Sequence, residues 1–492
     1  MTERITQPLI YALLTAQLAG CTVGPDYVRP EAKIPNEFKE SKGWKQAQPR
    51  DTMLSGKWWE IFNDPRLNKL EEQVAVANQS IIQAEAQYRQ AQHLVQSAQS
   101  AFFPILNLTG TTNRFRAASG QSVAVSGVRN LFGVAGAIAW EPDLWGSVSR
   151  QVEANTGSAQ ASAATLQALR LSSEATLADN YFQLKTLDAQ KALLDETVVA
   201  YSKTLQIIKN RYAVGMVGKS DVMQAETQLE SVRAQAINIG VQRAKLEHAI
   251  AVLIGKTPAD LSLAAAPLDV QPPPIPASLP SELLERRPDI AAAERKIAAA
   301  NAQIGVAKAA YYPSLNLAAT NGFQTSTLDN LFKSASRYWA LGPAGAALTL
   351  FDGGAKHAQY KQAIDGFDAS VAAYRQTVLT GFQEVEDNLA ALRILDEQKQ
   401  VQDKAVTAAN HALTLITNQY QAGTVSYLDV MTAQTVALSN RQTAVQLQGQ
   451  RLTASVQLVK ALGGGWNVAM LPSEDQAGGE VKWTDYLIFP VD

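Results

Sequence analysis

Residues 213–220 read AVGMVGKS, a small residue followed at fixed spacing by Gly-Lys-Ser, which fits the relaxed form of a phosphate-binding loop. In such a loop, backbone N–H groups cradle phosphates, the lysine reaches their oxygens and the serine hydroxyl meets Mg²⁺, so the chemistry on offer is nucleotide hydrolysis. That chemistry needs a strand before the loop and a helix after it. A very long helical pattern precedes this stretch instead. Other reactive groupings are thinner still. The four histidines, His93, His248, His357 and His411, are scattered without a metal-binding pair. No nucleophile elbow or dinucleotide fingerprint stands at a strand-to-helix junction. No catalytic residue, metal or cofactor is expected.

The single cysteine closes the opening MTERITQPLIYALLTAQLAGC. Arg4 and a modest apolar stretch from Leu9 to Leu18, too short to span a bilayer, read as a signal peptide over residues 1–20. The small residues Ala19 and Gly20 before Cys21 resemble a bacterial lipobox, which would make Cys21 an acylated mature N-terminus. Thr22 follows rather than Asp, so an inner-membrane retention signal is missing. Acidic and basic residues nearly balance, 45 against 43, and no basic tract is present, so nucleic acid is not an expected partner. No other segment is apolar enough for a transmembrane helix.

The elements around the loop are written twice. Residues 210–227, NRYAVGMVGKSDVMQAET, align with 418–435, NQYQAGTVSYLDVMTAQT, with nine of eighteen positions identical at an offset of 208. Near the same offset AFFPILNL (101–108) matches AYYPSLNL (310–317). In the second copy the loop reads QAGTVSYL, without Gly-Lys-Ser, so the shared residues describe a helix–turn–helix and not a nucleotide site. Gly215 and Gly423 can take the left-handed conformation that ends a helix. Asp221 and Asp429 are placed to cap the helices that follow, with Gln224 completing a near capping box in the first copy.

Each half has one order of elements. A helix ends at an aromatic-Pro pair; two strand-like stretches follow, Ile105–Phe115 with Leu131–Trp140 and Leu315–Phe323 with Tyr338–Leu350. Then come helices free of proline, from Ser147 to Val214 and from Ala355 to Ala422, each about 100 Å long at 1.5 Å per residue. Apolar residues recur at spacings of three and four, as in Leu194, Val198, Tyr201, Leu205, Ile208 and Tyr212, a heptad seam. A returning helix continues the pattern through Val222, Ala225, Leu229, Val232, Leu246, Ile250 and Leu253, interrupted by Arg243, for which periodicity has no explanation. The chain thus divides into a lipidated extended segment (21–65), repeat one (66–270), the Pro-rich linker QPPPIPASLP (271–280), repeat two (281–465) and a tail (466–492). Four strands of about 10 residues match a tilted bilayer crossing, yet they cannot close a membrane barrel alone, so the chain must oligomerise.

The lipobox followed by GPDYVRP (24–30), WWEIFNDPRL (58–67), the paired aromatic-Pro segments, LFDGG (350–354) and the doubled turn resemble the outer-membrane factor family. Within it the chain is similar to the NodT-type lipoproteins, relatives of the TolC exit duct. The resemblance implies a mixed α/β membrane protein: a homotrimeric twelve-stranded β-barrel, four strands per chain, continued by a long α-helical coiled-coil barrel. It also implies a lipid-anchored Gram-negative outer-membrane location. The partners implied are outer-membrane lipid, a periplasmic adaptor and an inner-membrane pump, usually of the resistance–nodulation–division type. No reaction is catalysed in such a duct. A type I secretion exit is the second reading, opposed by the lipobox and the opening motifs. A lipid-anchored periplasmic scaffold is the third, opposed by four bilayer-length strands.

The resemblance assigns the turns Val214-Gly215-Met216 and Ala422-Gly423-Thr424 to adaptor contact. Just above them Asp429 falls on a carboxylate-ring position and Leu428 on an apolar constriction. Thr432 stands where a second carboxylate is found in the family. Ser220, Asp221 and Tyr420 match partners of a polar latch, whose arginine is replaced here by Val425. Bland roles stand beside these: Asp221 and Asp429 as caps, Tyr212 and Tyr420 as seam packing, Leu428 as core.

Overall fold

A computed structural model of the chain describes residues 22–35, 37–40, 56–116, 128–273, 275 and 282–480. The signal peptide, Cys21, the link within the first strand pair and most of the Pro-rich linker lie outside the described residues. Helix α1 (Pro65–Ala77) and α2 (Gln79–Ser100) lead into strands β1 (Ile105–Arg116) and β2 (Val128–Trp140). The long α3 (Ser147–Ala213) and α4 (Lys219–Leu253) follow. The order recurs as α5 (Pro288–Ala309), β3 (Ser314–Thr325), β4 (Arg337–Ala347), α6 (Ala355–Gln421) and α7 (Tyr427–Ala461).

Both long helices have 67 residues and both returning helices have 35, each second copy lying 208 positions after the first. The seam explains why they form. Leu194, Tyr201, Leu205 and Ile208 of α3 are buried in one cluster with Val222, Ala225, Leu229 and Val232 of α4. Tyr212 departs from the seam reading: it is 46% exposed, in the last turn of α3 beside the turn that joins the hairpin. No described helix is long and apolar enough to cross a membrane.

The strands form one antiparallel sheet in the order β1-β2-β3-β4. Their lengths of 12, 13, 12 and 11 residues suit a tilted bilayer crossing. β4 ends at Ala347, three residues before the sequence reading, because its partner β3 begins at Ser314, opposite Ala347. The registers sort the side chains by face. Leu106 pairs with Ile138 and that with Ala319, while Val134 faces Phe323. Asn321 and Ala319 then meet Trp339 and Leu341, so these largely apolar residues share one face. Asn107, Thr109, Thr111, Gly133, Ala135 and Gln324 occupy the other. This is the apolar-out, polar-in alternation of a membrane barrel wall. β1 and β4 have one neighbour each in the chain, which leaves two free edges.

Between sheet and helix tips lies the main core. The turn Trp58–Phe62 drives Trp58, Trp59 and Phe62 into it beside Tyr181, Phe182 and Tyr374. Asn63, at φ +53°, ends that turn, and Asp64 starts α1, accepting from the N–H groups of Arg66 and Leu67, from Tyr181 Oη at 2.9 Å and from Lys185 Nζ at 3.1 Å. The GPDYVRP segment straps the upper body. Val23 N–H donates to Trp145 O at 3.1 Å, Arg150 pairs with Asp26 at 2.9 Å, and Tyr27 donates to Glu294. Gly24, at φ +114°, lies so near Gly305 that an added Cβ would sit 2.6 Å from its Cα. The strap continues to Lys39 and Glu40, whose N–H groups donate to the carboxylate of Glu386.

Candidate functional site

The sequence-predicted site residues collect where the two helical hairpins, α3–α4 and α6–α7, turn. Both turns close by the same pair of hydrogen bonds. Met216 N–H donates to Arg211 O and Gly215 N–H to Tyr212 O; Thr424 donates to Gln419 O and Gly423 to Tyr420 O. That pattern needs a left-handed residue after the helix, supplied by Gly215 at φ +74° and Gly423 at φ +79°. AVGMVGKS is therefore the end of α3, its turn and the start of α4. Val214 and Met216 are 70% and 73% exposed, and Ala422, Gly423 and Thr424 are exposed as well.

The capping expectation is corrected. α4 and α7 begin at Lys219 and Tyr427, two residues before each aspartate, so the cap positions fall to Gly218 and Ser426. Asp221 and Asp429 sit in the third helical position instead. Asp429 accepts from Ser426 N–H at 3.0 Å and Ser426 Oγ at 2.7 Å, the reciprocal half of a capping box. Hydrogen bonds from the Ser426 side chain and backbone hold the Asp429 carboxyl below the ordinary carboxylate value. In the first copy Gly218 has no side chain to answer Asp221. Ser220 Oγ makes a long contact with Asp221 at 3.4 Å, and the exposed Gln224 completes no box.

Leu428, Asp429 and Thr432 share an exposed side of the first turns of α7, unused by packing within the chain. Leu428 is 54% exposed, so the core role considered for it does not hold within the protomer. Thr432 Oγ1 is turned back onto Leu428 O at 2.9 Å.

Among the latch candidates, no described hydrogen bond joins Tyr420 to Ser220 or Asp221. Tyr420 is buried edge-on against Tyr427, ring centroids 6.0 Å apart, and its hydroxyl has no hydrogen-bond partner among the described residues. Burial pushes the Tyr427 phenol up to about 12, with Tyr201, Tyr420 and Asp221 adding to the shift. Val425 packs against the same apolar cluster.

Sequence reasoning missed Arg211. Its guanidinium lies 4.7 Å from the Tyr420 ring centroid and donates to Tyr420 O at 3.0 Å and Gln421 O at 2.9 Å. The available signal was an asymmetry in the duplication, Arg211 against Gln419. Gln228 to Thr435 at 3.0 Å and Arg441 to Glu196 at 2.8 Å also join the hairpins. Among the described residues no cluster of His, Cys, Asp and Glu is arranged to hold a metal.

A sheet with one apolar face and two free edges, set on paired helical hairpins, defines a class of membrane-embedded ducts, and comparison with known proteins agrees. The model of the family described as outer membrane efflux protein matches residues 70–256 and 279–464. The toluene efflux pump outer membrane protein TtgC of Pseudomonas putida is 32% identical over 487 residues, covering 97% of this chain and 99% of the relative. The outer-membrane channel OprN superposes with a TM-score of 0.85 at 28% identity, covering 91% of this chain and 100% of that one. The Neisseria gonorrhoeae MtrE outer membrane channel, solved in an open state, gives 0.81 at 30% identity over 91% and 99% of the two chains. The chain belongs to the outer membrane efflux protein family. It is the outer-membrane channel of an efflux system, a trimer with a twelve-stranded barrel and a helical tunnel, working with an adaptor and an inner-membrane pump.

Proposed function

We propose that the helix tips are the gate of a passive duct, and that the chain itself catalyses no reaction. Leu428 sets an apolar constriction, and Asp429 contributes one carboxylate per protomer to a ring that favours cations. Thr432 adds no charge, so cation preference rests on Asp429. Asp221 and Tyr420 act at the closed tip by flanking Tyr427, with Ser220 beside them. Val214, Gly215, Met216, Ala422, Gly423 and Thr424 form the adaptor-facing surface, a reading supported by apolar side chains standing in water there. Cys21 carries the lipid anchor, and the pump is of the resistance–nodulation–division type. Repeats 66–270 and 281–465, joined by 271–280 and followed by the tail 466–492, each supply one strand pair and one hairpin.

The observation that carries the gate reading is the exposed side shared by Leu428, Asp429 and Thr432, which the protomer's own packing leaves free. A relative solved in an open state supports an aperture that changes. Conductance in planar bilayers tests it. Leu428→Ala should raise single-channel conductance, and Asp429→Asn should remove cation preference. Trimers that conduct with the wild-type magnitude and selectivity after both changes refute the gate. Trimers that never conduct refute the duct.

A further inference from the structure

We infer that Arg211 fastens the two hairpin tips of each protomer and so sets the resting aperture of the duct, an assignment that rests on the gate reading above. Its three contacts all go to the other repeat. The carbonyls of Tyr420 and Gln421 lie at the end of α6, past its regular helical ladder; Tyr420 O also accepts from Gly423 N–H in the turn, so the guanidinium adds a second bond there. A guanidinium presents a planar fork that reaches two carbonyl oxygens at once, and it meets the negative end of the α6 dipole. The same cation lies over the face of the Tyr420 ring. Nothing answers in the other direction, because position 419 is glutamine. Val425 supplies no cation either.

Location makes this tie effective. A helix cannot lengthen, so the opening at the tips changes only if one hairpin tilts or slides against the other. The main core holds α3 near Tyr181, and Arg211 lies about 45 Å further along the same helix at 1.5 Å per residue. A bond at that distance resists tilting with the longest lever in the chain. Leu428 and Asp429 follow on the first turn of α7, so any movement of Tyr420 and Gln421 carries the constriction with it. The remaining polar tip links, Gln228–Thr435 and Arg441–Glu196, are exposed and individually weak, and the buried cluster of Tyr201, Val222, Tyr420 and Tyr427 joins the hairpins by non-directional packing.

The test uses full-length trimers in planar bilayers, with thermal unfolding in parallel. Arg211→Ala should raise open probability about tenfold, the ratio expected for losing a charge-assisted pair, with the unfolding temperature little changed. Arg211→Lys keeps the cation but not the fork and should fall between the two. If Arg211→Ala does not assemble, Arg211→Gln carries the same prediction. Variants that conduct like the wild type overturn the assignment while leaving the duct intact. So does equal behaviour of the Lys and Ala variants accompanied by a lowered unfolding temperature, which marks a merely structural residue. If the wild type itself forms no pore, the duct reading fails first and the latch with it.

Discussion

Arg243 interrupts the apolar stripe of α4 because it is a fastening and not a packing residue. Its guanidinium reaches Asp188 Oδ1 at 2.6 Å, Glu247 Oε2 at 3.0 Å and Leu263 O at 2.6 Å. Asp188 in turn accepts from Ala266 N–H, so the segment after α4 is pinned across both helices of the hairpin. The Asp188 side chain is only 3% exposed, and removing its partner would strand a buried carboxylate. Arg243→Met should therefore destabilise the protomer by about 3 kcal/mol, read by thermal unfolding, and adding Asp188→Leu should recover most of the loss. Arg211 and Arg243 teach the same lesson. Local spacing shows at most part of such a cation's role, here the Glu247 partner of Arg243 one turn on, because the farthest partners lie 55 positions away in one case and over 200 in the other.

At the scale of elements, α1 meets α3 through two carboxyls that have no cation between them. Glu71 is fully buried and neither of its oxygens has a hydrogen-bond partner among the described residues. Burial pushes it well above its ordinary value, and Glu174 adds to the shift. Glu174 accepts from Trp58 Nε1 at 3.1 Å, and burial raises it to about 7 against the partial opposition of Trp58 and Arg170. Burial likewise takes Asp179 to about 6, opposed by Gln457 and Lys460. Folded values above unfolded ones mean that this stabilisation is complete below about 4.5 and is lost as pH rises through the folded values. Asp64 works oppositely: burial would raise it, but Lys185 and Tyr181 outweigh that and hold it low, so its contribution fades only in stronger acid. Unfolding temperature should therefore rise as pH falls from 8 to 5. Glu71→Gln should flatten that rise by at most about 1.4 kcal/mol per pH unit, the limit for one proton. A wild-type profile that is flat over this range would contradict the buried-pair account. The elements themselves were readable in advance: the 67-residue helices came from a seam uninterrupted by proline. The caps were misread because aspartate at the third helical position and aspartate at the cap leave nearly the same trace in a sequence.

For the whole molecule, the strap ties the start of the described chain to the base of the sheet. Thr22 packs against Gly146, where an added Cβ would lie 2.7 Å from Thr22 Cγ2, and Val23 is bonded to Trp145. The proposed acyl anchor, Cys21, immediately precedes this segment in the sequence. Cys21→Ala should abolish incorporation of labelled palmitate while leaving the trimer assembled in the outer membrane by virtue of its sheet. A wild-type protein that takes up no label would sink the anchor. The free edges of β1 and β4 impose a second condition: in lipid an unpaired ladder is intolerable, so closure with copies of the chain is a condition of folding there.

Periodicity, glycine placement and the 208-residue duplication are local or self-referential signals, and from them the sequence alone determined the long helices, the turns, the four strands and the need for a multimer. Only the tertiary structure decided the strand order with its apolar face, the buried Glu71–Glu174 carboxyl pair and the reach of Arg211 onto the opposite hairpin. Such pairings join residues far apart in the chain, and no spacing rule encodes which distant groups three-dimensional packing will bring within a few ångströms.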